Sequence, residues 1–258
     1  MDKQAQIFKD FFSNVGCSKD NLIAGPCSIE SMEQLFSSAS NIKNLGYKYF
    51  RGGAFKPRTT PSSFQGLGVQ GLEYMKEVAD KLELMSVCEI MSKEQLVCGY
   101  DYIDIIQIGS RNMQNFELLK EVSKIKKTVI LKRGLMSTIE EFVGAAMYLR
   151  EQGKKNIILC ERGIRSFDVE TRNTLDIMCV PIMKEKTGLP IIVDVSHSTG
   201  RKDLLLPAAR VARAVNADGI MIETHPNPEI ALSDKEQQID NIEFEKFSND
   251  LWRDTYEY

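Results

Sequence analysis

The sequence predicts an α/β fold, a (β/α)8 barrel of the TIM type, from three observations. Short apolar runs rich in β-branched residues alternate with longer stretches of helical spacing, which is typical of a parallel sheet covered by helices. Eight such runs fit into 258 residues, the strand count and length of a (β/α)8 barrel. No Gly-x-Gly-x-x-Gly motif follows the first run, which disfavours a doubly wound open sheet. The predicted strands span residues 22–27, 47–53, 83–90, 102–109, 128–134, 156–163, 190–197 and 217–225.

The elements follow one another in a regular order. The first strand, LIAGPC, precedes a helical stretch at 31–46, and the second, YKYFRGG, precedes another at 69–82. The fourth strand, YIDIIQIG, is followed by a helix at 115–127, and the fifth, TVILKRG, by one at 138–153. NIILCERG, PIIVDVSH and ADGIMIETH are the last three strands, and we expect the final helix after residue 234.

A single domain is the simplest organisation, because the chain has no low-complexity segment, no long linker and no break in composition. Residues 1–20 are predicted to be a short amphipathic extension, and residues 21–258 the barrel that carries the activity. About 250 residues with 43% hydrophobic content are enough for one large core.

The composition excludes several classes of function. A net charge of −3 and an isoelectric point near 5.6 disfavour nucleic-acid binding, which calls for a basic face. No run approaches the roughly 18 apolar residues of a membrane span, and the charged amino terminus lacks the pattern of a secretory signal. The six cysteines form no Cys-x-x-Cys pair, so we expect reduced thiols and a cytoplasmic location.

Positive charge is concentrated at the predicted carboxyl ends of the strands. Arg51 ends the second strand, and Lys56 and Arg58 follow it in RGGAFKPRTT, where a Gly pair and a Pro favour a sharp turn. In a parallel barrel all these ends lie on one face, where barrel active sites are built. Guanidinium and ammonium groups match phosphates and carboxylates, so the pattern predicts a site for two phosphates and a carboxylate, in preference to a set of solvated surface charges. The predicted cationic residues are Arg51, Lys56, Arg58, Arg111, Lys132 and Arg162.

A second group of strand-end residues has the chemistry of metal ligands. Thiolate, imidazole and carboxylate together suit a divalent transition metal, and manganese, iron, cobalt and zinc are all compatible with them. Taken singly, Cys27 could be a core thiol, Asp234 a helix N-cap, and His197 a partner of a loop carbonyl. The predicted ligands are Cys27, His197, Glu223 and Asp234.

Motifs at nearly every strand end resemble those of one enzyme family. GPCSIES, KPRTT, QIGSRNMQN, ILKRG, CERGIRSF, VDVSHSTGRKD and MIETHPNPEIALSD are similar, in the same order, to the short type I-beta 3-deoxy-D-arabino-heptulosonate 7-phosphate (DAHP) synthases. The similarity covers roughly residues 20 to 240. It implies a metal-dependent condensation of phosphoenolpyruvate with erythrose 4-phosphate and water to DAHP and phosphate, which opens the shikimate route to aromatic amino acids.

The resemblance also implies a role for each matching residue. Arg51 and Lys132 would lie near the phosphoenolpyruvate carboxylate, and Arg111 and Arg162 on its phosphate, while Glu161 would orient Arg162. The implied catalytic residues are Lys56, Lys132, His197 and Cys27, and the four metal ligands are those given above. The implied substrate contacts are Arg51, Lys56, Pro57, Arg58, Thr59, Glu89, Ser110, Arg111, Lys132 and Arg162.

Two stretches depart from the family pattern, and three rival functions stay open at this point. DVSH replaces the common Asp-Pro-Ser-His, and SDKEQQ follows the last acid where Ser-Asp-Gly is usual; both are expected in loops. The related octulosonate 8-phosphate synthases use arabinose 5-phosphate, but Lys-Pro-Arg-Thr favours the four-carbon sugar. The second rival is a Schiff-base aldolase with Lys132 as nucleophile, and the third is a non-catalytic phosphosugar-binding protein.

The resemblance carries expectations about assembly and control. It implies a homotetramer or a dimer, and a separate chorismate mutase as a partner. About 20 residues precede GPCS, too few for the regulatory domains of the family, so we expect no feedback inhibition by aromatic amino acids.

Overall fold

The predicted barrel is confirmed by the computed structural model, which describes residues 2–12, 16–58, 60–151 and 153–253. Within these residues, eight parallel strands pair in sequence order, and the last returns to the first to close the barrel. The strands are β1 Leu22–Gly25, β2 Tyr49–Arg51, β3 Met85–Glu89, β4 Ile105–Ile108, β5 Thr128–Lys132, β6 Ile157–Glu161, β7 Ile191–Asp194 and β8 Gly219–Glu223.

Helices surround this barrel, and in the described ranges none of them is long and apolar enough to cross a membrane. The helix expected after residue 234 is present, although residues 254–258 of that segment lie outside the described part. The helices are α1 Lys3–Phe12, α2 Met32–Asn44, α3 Val69–Leu82, α4 Lys93–Gly99, α5 Phe116–Ser123, α6 Ile139–Arg150, α7 Cys179–Thr187, α8 Val195–Thr199, α9 Leu205–Ala214 and α10 Asn241–Trp252.

The barrel interior is a packed apolar core, because alternate residues of each strand point inward. Its members are fully or almost fully buried and form a cluster separate from the larger core between sheet and helices. The inward-facing strand residues of this cluster are Ile23, Tyr49, Val87, Ile105, Ile130, Ile158, Cys160, Ile192 and Met221.

Helix α1, in the predicted amphipathic extension, closes the amino end of the barrel. Ile7 and Phe11 are buried in the interior core, and the Phe11 ring lies edge-on to Tyr49 at 5.0 Å. The Gln4 side chain accepts hydrogen bonds from the backbone N–H and the hydroxyl of Thr128, at 2.8 and 2.9 Å. With that end filled, the carboxyl end is the face left open for chemistry.

One glycine at the open end is required by the backbone. Gly25, the last residue of β1, has φ +142°, and a Cβ there would lie 2.1 Å from the carbonyl oxygen of Arg51. We expect Gly25→Ala to lower the free energy of unfolding by about 3 kcal/mol, because it combines a backbone clash with a strained φ. Gly144→Ala in the middle of α6 is the control: apart from its chain neighbours and the nearby backbone of α6, no atom would lie within 4 Å of the added Cβ, so up to about 1 kcal/mol should be gained. Urea unfolding of both variants checks the pair, and equal effects would contradict the clash.

A buried lysine at the amino end predicts how stability changes with pH. The Lys154 amine donates to the carbonyls of Ile125 and Lys127, at 2.8 and 2.6 Å, and burial lowers its pKa to about 8. In the unfolded chain its pKa is about 10.4. The unfolded state therefore binds more protons between these values, and stability should rise with pH across that window, by at most about 3 kcal/mol from this group.

Lys154→Met should remove this contribution, so the parent should gain stability relative to the variant as the pH rises from about 8 to 10. The exposed neighbour Lys155 provides the control, since Lys155→Met should leave the pH dependence unchanged. Urea unfolding at both pH values measures the effect, and identical pH profiles for the parent and Lys154→Met would refute the assignment.

Candidate active site

A layer of polar residues, most of them charged, lies directly above the apolar core of the barrel. Each of its residues stands two positions after an inward-facing core residue, so the strand alternation points it into the barrel at the open end. All are buried or half-buried. This layer consists of Arg51 of β2, Glu89 of β3, Gln107 of β4, Lys132 of β5, Asp194 of β7 and Glu223 of β8.

The four predicted metal ligands are brought together at this end. Ligand atoms of Cys27, Glu223 and Asp234 lie within 4.8 Å of one another. The Cys27 Sγ is 3.3 Å from Asp234 Oδ2. His197 Nε2 points at the same place, 3.6 Å from Glu223 Oε1 and 3.8 Å from Asp234 Oδ2. A soft thiol, an imidazole and two carboxylates converging on one point fit a divalent transition metal, the chemistry expected from the sequence.

Three of these ligands flank the seam where β1 meets β8. Cys27 follows β1, and its backbone N–H donates to the side chain of Gln238 at 2.9 Å. Glu223 ends β8, and its N–H donates to the Ser196 hydroxyl at 2.8 Å. Asp234 lies in the loop after β8 with φ +47°, a left-handed turn and not the helix N-cap considered above. Local backbone geometry therefore aims each side chain.

His197 lies on the short helix α8 and not at the end of the predicted strand 190–197, because β7 ends at Asp194 and Asp194 caps this helix. Asp194 Oδ1 accepts the His197 backbone N–H at 2.9 Å, and its Oδ2 lies 2.8 Å from Nδ1 of the ring. Burial lowers the pKa of His197, which favours the neutral imidazole that a metal requires. With Nδ1 held by a carboxylate, Nε2 is left to face the carboxylates of the cluster.

Asp194 also holds the Lys132 ammonium through Oδ2. Burial opposes its ionisation, but His197 and Lys132 outweigh this effect and keep the pKa of Asp194 well below its usual value. One buried carboxylate thus fixes a predicted ligand and a predicted substrate cation together. Asp194 was not among the predicted site residues, although the alternation of β7 was enough to place it in the interior.

Two of the predicted ligands have a cationic partner beside them. Lys56 Nζ lies 3.0 Å from Cys27 Sγ, and Arg51 Nη1 lies 2.5 Å from Glu223 Oε1. Burial raises the pKa of the Cys27 thiol to about 12, so a bound cation would have to displace its proton. Burial disfavours the charged form of Glu223 as well, but nearby charges, His197 and Arg51 foremost, hold its pKa below the usual value.

A strongly cationic cavity opens above this cluster. Its wall holds seven lysine and arginine side chains against two carboxylates, Glu89 and Asp234. Of the predicted substrate contacts, Pro57 and Ser110 line the cavity as well. The cations in the wall are Lys56, Arg58, Arg111, Lys132, Arg162, Arg165 and Arg172.

Two predicted contacts are placed differently, and one lies outside the described residues. Arg51 is buried and does not line the cavity; its Nη1 binds Glu223 and the Pro26 carbonyl. Glu161 does not orient Arg162 but binds Arg133, 3.0 Å away, because its position in β6 alternates outward. Thr59 lies outside the described ranges.

Arg165, Arg172 and Asn173 line the cavity without having been predicted. They lie in the segment after β6, which is hydrogen-bonded to helix α8: the Asn173 amide donates to the His197 carbonyl at 2.7 Å. The Arg172 backbone N–H donates to the Thr199 carbonyl at 2.9 Å. The arginines in CERGIRSF and ETRN were visible in the sequence, but no strand ends there to indicate that they turn back to the rim.

A (β/α)8 barrel with a cationic cavity over a thiol, imidazole and carboxylate cluster defines a class: barrel enzymes that act on phosphorylated substrates beside a metal. Comparison with known sequences narrows this class. A sequence profile described as "DAHP synthetase I family" matches residues 13–258, and the chain belongs to that family.

Individual relatives agree with this placement. The phospho-2-dehydro-3-deoxyheptonate aldolase of Thermotoga maritima is 53% identical over 226 residues, which cover 88% of this chain and 67% of the relative. A crystal structure of a Thermotoga maritima protein of that name, also called DAHP synthase, superposes with a TM-score of 0.86 at 51% identity, over 90% of this chain and 68% of that one. A 2-dehydro-3-deoxyphosphooctonate aldolase of Rhodopseudomonas palustris is 29% identical over 243 residues, 87% of this chain and 84% of the relative.

Proposed function

We propose that this protein is a metal-dependent DAHP synthase, which condenses phosphoenolpyruvate with erythrose 4-phosphate and water to DAHP and phosphate. The observation that carries the proposal is the position of the seven-cation cavity directly over the four-ligand cluster. Two phosphates and a carboxylate need many fixed cations, and an aldehyde needs a polarising group beside them. Identity of 53% to a heptonate aldolase, against 29% to an octonate aldolase, favours the four-carbon sugar.

Phosphoenolpyruvate would lie between β4 and β6. Lys132 would hold its carboxylate, Arg111 and Arg162 would bind its phosphate, and Lys56 would lie close to both substrates. Arg162 is buried, with Nη1 bonded to the Gly163 carbonyl at 3.2 Å, so its guanidinium is fixed before the substrate arrives. Arg51 would act from below, by fixing Glu223 and adding positive charge to the floor.

Erythrose 4-phosphate would bind on the side of the cavity formed by the loop after β2. Arg58 would hold its phosphate and Thr59 would contact its carbon chain. Pro57 would restrict the backbone between Lys56 and Arg58. Glu89 and Ser110 border the same cavity, and Glu89 would hold ordered water there. The carbonyl carbon would then face the four-ligand cluster.

Cys27, His197, Glu223 and Asp234 would hold the metal, with Mn2+ as the first choice and Fe2+, Co2+ or Zn2+ after it. A bound divalent ion supplies Lewis-acid polarisation of the aldehyde carbonyl. The chain's own residues hold C3 of phosphoenolpyruvate against the aldehyde carbon, where a C–C bond forms. Water adds at C2, the C–O bond to phosphate breaks, and the cationic wall keeps the phosphate charge neutralised throughout.

The test is the loss of phosphoenolpyruvate absorbance with erythrose 4-phosphate or arabinose 5-phosphate, in Mn2+ and in EDTA. We expect consumption with erythrose 4-phosphate alone, abolished by EDTA and restored by Mn2+. Consumption with arabinose 5-phosphate would favour an octulosonate 8-phosphate synthase and contradict the role of Arg58. Turnover that survives EDTA and yields a borohydride-trapped adduct at Lys132 would favour a Schiff-base aldolase.

The family supports a homotetramer or a dimer as the assembly, with a chorismate mutase as a separate partner. A cytoplasmic location agrees with the cysteines, which are all free within the described residues. Light scattering of the purified protein, alone and mixed with a chorismate mutase, would test the assembly.

A further inference from the structure

Arg172 contacts the cluster of candidate metal ligands from the side of the cavity. Its Nη1 lies 3.2 Å from Asp234 Oδ2 and donates to the side-chain oxygen of Gln237 at 2.6 Å. Gln237 in turn donates to Glu223 Oε2 at 2.5 Å. One guanidinium therefore contacts one candidate ligand directly and a second through a single side chain.

The backbone of Arg172 is fixed, whereas its side chain is exposed to the cavity. Its backbone N–H is bonded to Thr199, the last residue of α8. Gly200 leaves room for the Arg172 Cβ, because a Cβ on Gly200 would lie 2.4 Å from the Cβ of Arg172. The side chain is 39% exposed and borders the cavity, whereas Arg51, the partner of Glu223, is 5% exposed. Arg172 is thus a cationic partner of a carboxylate ligand that a substrate can reach.

The guanidinium has donors to spare. Among the described residues its side-chain hydrogen bonds involve Nη1, which leaves Nη2 and Nε for an anion in the cavity. An arginine fork matches phosphate oxygens in two-point contact. A guanidinium stays cationic in proteins, so the charge is available to both partners.

We propose that Arg172 couples metal binding to substrate binding by sharing its charge between Asp234 and a substrate phosphate. This inference rests on the proposed function and adds a positioning residue to it. Without substrate, Arg172 neutralises Asp234 Oδ2, an oxygen that the metal needs, and so weakens metal binding. A phosphate that draws the guanidinium toward itself frees Asp234, and the metal binds more tightly. By linkage, the metal must strengthen phosphate binding by the same factor.

The experiment measures Mn2+ affinity by equilibrium dialysis without substrate, with phosphoenolpyruvate alone, and with erythrose 4-phosphate alone. No turnover takes place with a single substrate, so the result does not depend on whether DAHP is formed. We expect either phosphate to tighten Mn2+ binding by roughly fivefold or more, the low end of coupling between sites. The arm with the larger effect identifies which phosphate Arg172 receives.

In Arg172→Met, the affinity for Mn2+ without substrate should rise, and the effect of the phosphate should fall below about twofold. Arg201→Met is the matched control, since Arg201 donates to the Glu170 carbonyl of the same segment at 3.3 Å but does not line the cavity; coupling should persist there. Arg172→Lys keeps the charge and should keep part of the coupling, which covers the case in which Arg172→Met fails to fold.

Full coupling in Arg172→Met, or no coupling in the parent with either substrate, would overturn the proposal. If Arg172→Met bound Mn2+ more weakly while substrate still tightened Mn2+ binding, the proposal would also be overturned. Arg172 would then only stabilise the conformation of its own segment. Failure of the proposed function would look different, as coupled Mn2+ binding without formation of DAHP.

Discussion

Asp194→Asn should reduce the rate of DAHP formation by at least about 100-fold and weaken Mn2+ binding by about 10- to 100-fold, the usual effect of losing a carboxylate behind a histidine ligand. An asparagine amide can donate to Nδ1 of His197, which would place the proton on Nε2, the atom that faces the cluster. The change also leaves the Lys132 ammonium without its buried counter-charge. Activity and equilibrium dialysis with Mn2+ measure the two effects separately.

Asp218→Asn provides the matched control at the opposite end of the barrel. Asp218 is also buried, pairs with Lys184 at 2.8 Å and accepts the Ile191 backbone N–H at 2.8 Å. Breaking the buried Lys132–Asp194 pair should cost about 3–5 kcal/mol of stability. The Lys184–Asp218 pair should cost less, because the Lys184 side chain is 30% exposed, and only Asp194→Asn should change Mn2+ affinity. If both variants lost affinity equally, the effect of Asp194 would be one of stability alone.

Cys27→Ala should weaken Mn2+ binding by more than about 100-fold, because even partners behind the ligands are worth 10- to 100-fold. Activity at micromolar Mn2+ should fall with it, and high Mn2+ concentrations should restore part of the rate. The altered cluster keeps imidazole and carboxylate donors and loses its one soft donor, so Zn2+ should lose more affinity than Mn2+. Metal titrations followed by activity and by dialysis measure this.

Cys160→Ala is the same chemical change in the apolar core of the barrel. Cys160 is completely buried in β6 and belongs to the interior core, so its loss should lower stability and leave Mn2+ affinity as it was. Unchanged Mn2+ binding in Cys27→Ala would remove Cys27 from the ligand set.

The sequence predicted the barrel and most of its open end because both follow from periodicity. Residues at strand ends, such as Lys132 and Glu223, are placed by counting alone, and parallel pairing brings them to one face. The outward turn of Glu161 could have been read from the same alternation, since it stands next to the inward-facing Cys160.

The missed residues depend on tertiary contacts that no spacing encodes. Arg172 reaches Asp234 only because its segment folds back along helix α8. Gln237 reaches Glu223 only because the chain turns at Asp234. The short helix at His197 was predicted as the end of the strand 190–197, because no spacing shows that Asp194 both ends the strand and caps a helix.

The seam between β1 and β8 affects how the protein folds during synthesis. Leu22 pairs with Ile220, so the first strand made must wait for the last. At about 5–20 residues per second of translation, that wait is roughly 10–40 s. Cys27 belongs to the early side of the seam, Glu223 and Asp234 to the late side. A nascent chain therefore lacks the full set of proposed metal ligands until synthesis is nearly finished, and closure of the barrel brings the set together.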